Sequence, residues 1–307
     1  MGTRHAFLVM AHDEYPLLET LISLLDSPRA DIYVHVDARS PIPPSLDSHA
    51  SDSEVVTVPR RAVRWSGYSQ VEAELDLLGA ALPGEYSYYH LLSGHDLPVT
   101  PQAELYDFFN KHAGTEFVDC WATPDNGRFS ATYLDRVRFY TPVEPPSRGS
   151  SAARAINHST AAVQRILGVD RTGGQKFAYG SNWFSISHEL ATYVLEQKPF
   201  IRRTFSHTRS PDELFLQTIV WNSSFRDRLY EPGDKGTGLG NARYIDWSRL
   251  GEAKYSPYVI RASDVEGVRR SGCMFARKFS LSVDSEAVKQ VSRIVRGQGE
   301  LSEYSRF

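Results

Sequence analysis

The chain has 307 residues, 41% of them hydrophobic and 23% charged, with 34 basic side chains against 37 acidic ones and a net charge of −3. That balance excludes disorder as the default and fits a globular protein with a substantial buried core. Lysines and arginines are spread along the sequence without forming a basic stripe, which speaks against a nucleic-acid partner.

The opening Met1-Gly2-Thr3-Arg4-His5 runs straight into Ala6-Phe7-Leu8-Val9-Met10-Ala11, an apolar run too short for a signal-peptide core or a bilayer span. Cys120 and Cys273 match no metal or redox spacing and are expected as free thiols. The first 120 residues alternate short apolar runs with amphipathic segments, the pattern of β-α-β units around a mostly parallel sheet flanked by helices. His5 to Ala11 reads as a strand. Glu14 to Leu25 reads as a helix, with leucines and Ile22 at helical spacing before the breaker Ser27-Pro28. Strands follow at Asp31 to Val36 and Glu54 to Val58, a helix at Gln70 to Leu82, and a strand at Tyr88 to Ser93. A helix near Gln102 to His112 and a strand at Glu116 to Trp121 complete this half.

From Thr123 to Lys176 the pattern weakens, and prolines with a Ser/Arg-rich stretch predict a long surface excursion. Regularity returns at Phe177 to Ser187, followed by a helix from His188 to Gln197. Another helix is predicted to open at Ser210-Pro211-Asp212-Glu213, with Ser at the cap and Pro at the first helical position. Glu231 to Tyr258 reads as irregular, and Asp284 to Arg296 as a closing helix. No long linker divides the chain, so one domain is expected over 1–307.

A sheet of this kind binds ligands beyond the carboxyl ends of its strands. His12-Asp13-Glu14, His35-Val36-Asp37 and Ser93-Gly94-His95-Asp96 occupy three such ends. Each could be a polar turn capping a helix, yet three in succession point to a binding crevice. No Asp-x-Asp pair is present to chelate a divalent cation on a diphosphate. Side-chain cations would then have to neutralise a leaving diphosphate. Arg243 and Lys278, each set among apolar or aromatic residues, are the candidates, although such stems also lie across aromatic rings for purely structural reasons. In Ser210-Pro211-Asp212-Glu213, adjacent acids on a helix point about 100° apart. With Asp212 capping or facing solvent, Glu213 could face the crevice as a general base; two acids complementing the helix dipole is the competing reading.

Taken together, these residues resemble the core-2/I-branching glycosyltransferase family, which also contains peptide O-xylosyltransferases. The resemblance is carried by Val9-Met10-Ala11-His12, Tyr33-Val34-His35-Val36-Asp37, Val63-Arg64-Trp65-Ser66-Gly67-Tyr68-Ser69-Gln70 and Tyr88-Tyr89-His90-Leu91-Leu92-Ser93-Gly94-His95-Asp96-Leu97-Pro98. It continues through Gly180-Ser181-Asn182-Trp183-Phe184, Ser210-Pro211-Asp212-Glu213 and Phe275-Ala276-Arg277-Lys278-Phe279, in order over nearly the whole chain.

The resemblance implies a GT-A fold, an inverting and metal-independent mechanism, and a UDP-sugar donor, with no cofactor. It implies a nucleotide-binding half over 1–122 and an acceptor and catalytic half over 123–307. By position it makes Glu213 the catalytic base, puts Arg243 and Lys278 on the diphosphate, and places Asp37 and His12 in the uridine and ribose pocket. N-acetylglucosamine is the family's commonest donor sugar, with xylose next. Trp183 is expected either as a sugar platform or as partly core, and Asp96 either to bind sugar hydroxyls or to cap a helix. Animal members carry a membrane anchor and several disulfides, which this sequence lacks. That departure points to a cytoplasmic bacterial enzyme, whose glycan acceptor could be lipid-linked at the inner membrane face.

Overall fold

A computed structural model describes residues 4–144, 150–231, 240–249, 251–252 and 256–298. The expectation of an irregular stretch from Glu231 to Tyr258 lies partly outside these residues, and within them it is corrected by a short strand at Arg243–Ile245.

Strand β1 (His5–Ala11) is followed by α1 (Tyr15–Leu25), β2 (Ala30–Val36), β3 (Val55–Thr57), α2 (Tyr68–Ala81) and β4 (Tyr88–Ser93). Then come β5 (Asp96–Pro98), α3 (Gln102–Lys111), β6 (Phe117–Val118), α4 (Ala131–Arg138), α5 (Ser151–Ile166) and β7 (Phe184–Ser187). Helices α6 (His188–Glu196), α7 (Lys198–Phe205) and α8 (Phe215–Trp221) lead to β8 (Arg243–Ile245), α9 (Val265–Arg270), β9 (Phe275–Arg277) and α10 (Ser285–Val295).

The main sheet runs β3-β2-β1-β4-β7-β6. Strands β3, β2, β1 and β4 are parallel, whereas β7 is antiparallel to both β4 and β6. A smaller sheet, β5-β9-β8, lies beyond the end of β4. The period of two in β1 explains the layering: Phe7, Val9 and Ala11 enter one core with α1, α3 and α10, while Ala6 and Leu8 enter the other with α2, α6, α7 and α8. Buried on both faces, these strands read as continuous apolar runs. The parallel strands bring the residues after β1, β2 and β4 to one edge. This is a mixed α/β arrangement, with a mostly parallel central sheet flanked by helices.

Two further expectations are corrected. The segment 123–176 is not a bare excursion, because it contains α4 and α5. Helix α5 buries only Ala153 and Gln164, and leaves Ile156, Val163 and Ile166 at least half exposed. It is fastened by amides: Gln164 bonds both the N–H and the carbonyl of Tyr140, and Asn157 does the same to Val143. No buried apolar stripe marks such a helix.

The second correction concerns Ser210-Pro211-Asp212-Glu213. Pro211–Glu213 form a 3-10 turn, and the helix begins at Phe215. Ser210 is left-handed at φ 47° and makes no cap bond. Its N–H and hydroxyl are instead engaged by Ser66, at 3.0 and 2.7 Å. No helix among the described residues is long and apolar enough to cross a membrane.

Candidate active site

The ends of β1, β4 and β9 meet first. The Phe279 N–H donates to the His95 carbonyl at 2.9 Å, and His95 Nδ1 lies 3.0 Å from the Phe279 carbonyl. A carbonyl only accepts, so Nδ1 carries a proton. These bonds hold the residue after β9, Lys278, near His12 and Asp13. His95 Nε2 lies 2.7 Å and His12 Nε2 3.4 Å from Asp13 Oδ1. Burial opposes ionisation of Asp13, but the His95 hydrogen bond and the fields of His12, His95 and Lys278 bring its pKa down to about 2. Burial lowers the pKa of His12; Asp13 opposes that shift, while His95, Lys278 and Arg277 add to it. His12 and Lys278 are therefore near enough to feel each other's charge, in one cluster with Asp13 and His95. One donor atom from each of His12, Asp13 and His95 falls within 4.8 Å of the others, so this cluster has the spacing to hold a cation.

Asp37 sits at the end of β2, almost wholly buried. It takes hydrogen bonds from the Arg39 main chain and side chain and from the Val63 N–H. Burial disfavours its charge, yet these bonds lower its pKa overall. Arg60 donates to the Asp37 carbonyl at 2.7 Å, so two arginines flank this residue.

Asp96 neither caps a helix nor faces open solvent. It accepts from the Ser93 N–H at 2.9 Å and from Arg277 Nη1 at 2.7 Å. Arg277 in turn lies 4.7 Å over the Trp183 ring. Trp183 is half-buried, packed against the core on the α2 side of the sheet, with the Arg277 guanidinium on its face.

Arg243 differs most from its expected place. It is only 2% exposed, and Nη2 donates to the carbonyls of Leu91 and Phe184 and to Ser185 Oγ while Nη1 donates to the Asn241 carbonyl. Burial lowers its pKa to about 9, still above neutrality, so it remains a cation. Its Nη2 stitches β8 to β4 and β7, while its buried Nε makes no hydrogen bond.

Glu213 is one-third exposed, and its Oε2 accepts from Arg136 Nη1 at 2.7 Å. The Tyr179 hydroxyl also bonds this carboxylate; burial first, and the Glu213 charge next, push the tyrosine pKa upward. The Glu213 carbonyl accepts from the Gly180 N–H at 3.0 Å. Gly180 has to be glycine, since a Cβ there would lie 1.7 Å from the Asp119 carbonyl oxygen. Asp119 itself accepts from the Ser181 N–H at 3.2 Å, and burial raises its pKa to about 6. A second carboxyl therefore flanks the Gly180 turn.

Asp212 does not cap or face solvent, which corrects the sequence expectation. It points inward and accepts from Gln70 Nε2 at 2.8 Å, while its other oxygen has no hydrogen bond. Four residues along α2 from Gln70, Glu74 is fully buried. Burial and the Asp212 charge push the Glu74 pKa well up, and burial with the Glu213 charge does the same to Asp212. Two adjacent buried carboxyls cannot both ionise cheaply, so this pair holds at least one proton behind the Glu213 turn.

Arg136, Tyr179, Asp119 and Glu74 were not singled out from sequence. Glu74 left a trace, because it interrupts the apolar face of α2 between Val71 and Leu78. Arg136 left none: 77 residues separate it from Glu213.

A mostly parallel sheet with polar groups gathered at its carboxyl edge is consistent with a GT-A-like glycosyltransferase fold. The chain belongs to the Core-2/I-Branching enzyme family, whose model matches residues 5–269. It is similar to Xylosyltransferase sqv-6 of Caenorhabditis briggsae, with 21% identity over 85% of this chain and 33% of the relative. The protein of the same name from Caenorhabditis elegans is 20% identical over 84% of this chain and 32% of its own length. The chain thus spans about a third of the length of these curated relatives.

Proposed function

We propose that this chain is an inverting glycosyltransferase that moves a sugar from a UDP-sugar to a hydroxyl of a glycan acceptor, without a resident metal. The observation that carries the reading is Glu213: an accessible carboxylate bonded by Arg136 and Tyr179, while its neighbour Asp212 is turned into the core. Glu213 takes the proton of the acceptor hydroxyl as that oxygen forms its bond to the anomeric carbon. The bond from that carbon to the UDP oxygen breaks, and UDP leaves with the electron pair. Attack opposite the leaving group inverts the anomeric centre and gives a β linkage, as with carboxylate bases in inverting glycosidases.

On the donor side, Lys278 meets the diphosphate, with His12 lining the pocket and Asp37 on the uridine or ribose. Arg243 acts at one remove, holding β8 and hence the small sheet that bears Lys278. The Asp96–Arg277 pair over Trp183 offers hydroxyl contacts to the transferred or accepting sugar. In the His12–Asp13–His95 cluster the proximity of Lys278 supports a site tuned to a diphosphate anion over one tuned to a cation.

N-acetylglucosamine is the first donor to test. A second reading, xylose, is favoured by the two relatives, both named xylosyltransferases. UDP release measured over a panel of UDP-sugars with glycan acceptors tests both, and NMR of the product reads the anomeric configuration. Retention of configuration would end the single-displacement reading.

A further inference from the structure

The acceptor side of Glu213 carries a second feature. Trp121, 41% exposed, stands on the loop after β6. Behind it Tyr133 and Tyr179 stack with ring centroids 4.1 Å apart and planes 20° from parallel. Both tyrosines meet the indole edge-on, at 6.3 and 6.4 Å. Arg128 lies 5.6 Å over the indole, and Arg136 lies 5.2 Å over Tyr179 while bonding Glu213.

The arrangement is rigid where it matters. Ala122 and Tyr179 exchange main-chain hydrogen bonds of 2.9 and 2.8 Å, and the next residue, Gly180, donates to the Glu213 carbonyl. Asn126 closes the loop around Trp121: its Nδ2 donates to the Trp121 carbonyl, and its Oδ1 accepts from the N–H groups of Thr123 and Arg128, all at 3.0 Å. An exposed indole on a loop tied down in this way, linked to the Glu213 carboxylate through Tyr179, has less ordering cost to meet on binding.

We propose that Trp121 and Arg128, backed by the Tyr133–Tyr179 pair, form an acceptor subsite that takes a pyranose residue of a glycan beside the hydroxyl that Glu213 deprotonates. The proposal rests on Glu213 being the base. A pyranose presents an apolar C–H face and a rim of hydroxyls. The indole supplies an apolar platform for the first, and Arg128 supplies donors for the second. A membrane or protein partner would want a broader apolar patch; here each aromatic ring has a guanidinium beside it.

Fluorine NMR on protein labelled with 5-fluorotryptophan tests the subsite directly, the Trp121 signal being assigned by its loss in Trp121→Phe. Methyl β-glycopyranosides should shift that signal in the native protein and equally in Glu213→Gln, whereas a Gly-Ser-Gly peptide should not. In turnover, Trp121→Ala should raise KM for a glycan acceptor at least about 10-fold, with Trp121→Phe recovering part of the loss and KM for the UDP-sugar unchanged. A Trp121 signal that responds to no glycoside, or only to the peptide, overturns the subsite even if Trp121→Ala fails to fold. Glycoside shifts together with normal turnover of Glu213→Gln would leave the subsite standing and remove the base.

Discussion

Arg136 Nη1 lies 2.7 Å from Glu213 Oε2, across 77 residues of sequence, and its guanidinium also covers the Tyr133 and Tyr179 rings. The arginine fixes which way the carboxylate points, since the oxygen it holds cannot swing toward the core where Asp212 lies. Arg136→Ala should therefore lower kcat by about 10-fold or more while UDP affinity stays unchanged. Arg136→Lys, which keeps the charge without the planar fork, should recover only part of it. A kcat equal to that of the native protein in Arg136→Ala would show that the pair does not orient the base.

Lys278 and Arg243 should separate into a ligand contact and a fold contact. Lys278→Ala removes a cation from beside His12 and Asp13, so UDP binding should weaken about 10-fold or more. Arg243→Ala leaves the Leu91 and Phe184 carbonyls without this donor inside the core, and should cost about 1–3 kcal/mol of stability for each acceptor left unsatisfied. Calorimetric titration with UDP and thermal melts distinguish them. The division fails if Arg243→Ala melts like the native protein and loses UDP binding.

The sheet and its polar carboxyl edge were legible because apolar runs and helical spacing are local properties, and β1, α1, β2, α2 and β4 lie close to where they were expected. Local pattern could not reveal the turn at Ser210, whose left-handed backbone is fixed by Ser66, 144 residues away. Nor could it show that Arg243 is consumed by carbonyls of β4 and β7, or that Asp96 is paired with Arg277 across 181 residues. In each case the residue was picked out by its type and neighbours, while its partner came from a distant part of the chain. Helix α5 stayed hidden for the opposite reason: its fastening by Asn157 and Gln164 is polar, so the usual mark of a docked helix is missing.

Metal independence has a specific place to be tested. His12, Asp13 and His95 could hold a divalent ion by spacing, but Lys278 raises the cost of a second cation there. Turnover should persist in excess EDTA and gain little from added manganese. Loss of activity that manganese restores, and that His12→Ala abolishes, would assign the cluster to a metal.

Glu74 makes a prediction about pH. Its folded pKa is raised well above the ordinary 4.5, by burial first and the Asp212 charge second. Between the unfolded and folded values the native state binds more protons than the unfolded state. Stability contributed by this group is therefore complete below pH 4.5 and is lost as pH rises toward the folded value. Glu74→Gln fixes the neutral form, so its melting temperature should fall less than that of the native protein between about pH 5 and pH 8. Parallel melting curves over that range would mean that Glu74 is not the proton-holding member of the pair.

Glu213→Gln carries the mechanism. The amide keeps the size of the carboxyl and can still meet Arg136 through its oxygen, but it cannot take a proton from the acceptor hydroxyl. Turnover should fall by at least about 10²-fold. UDP-sugar affinity should barely change, because the base meets the acceptor hydroxyl and not the diphosphate. A residue serving only as a helix-dipole partner would behave otherwise, losing about 0.3–1 kcal/mol of stability and no rate. The helix α8 begins two residues after Glu213, which leaves that alternative open to measurement. Turnover, UDP-sugar affinity and melting temperature recorded on the same variant decide between the two. If the folded Glu213→Gln protein turns over near the native rate, the proton goes elsewhere, and Asp119, whose pKa near 6 suits a base at neutral pH, becomes the residue to replace next.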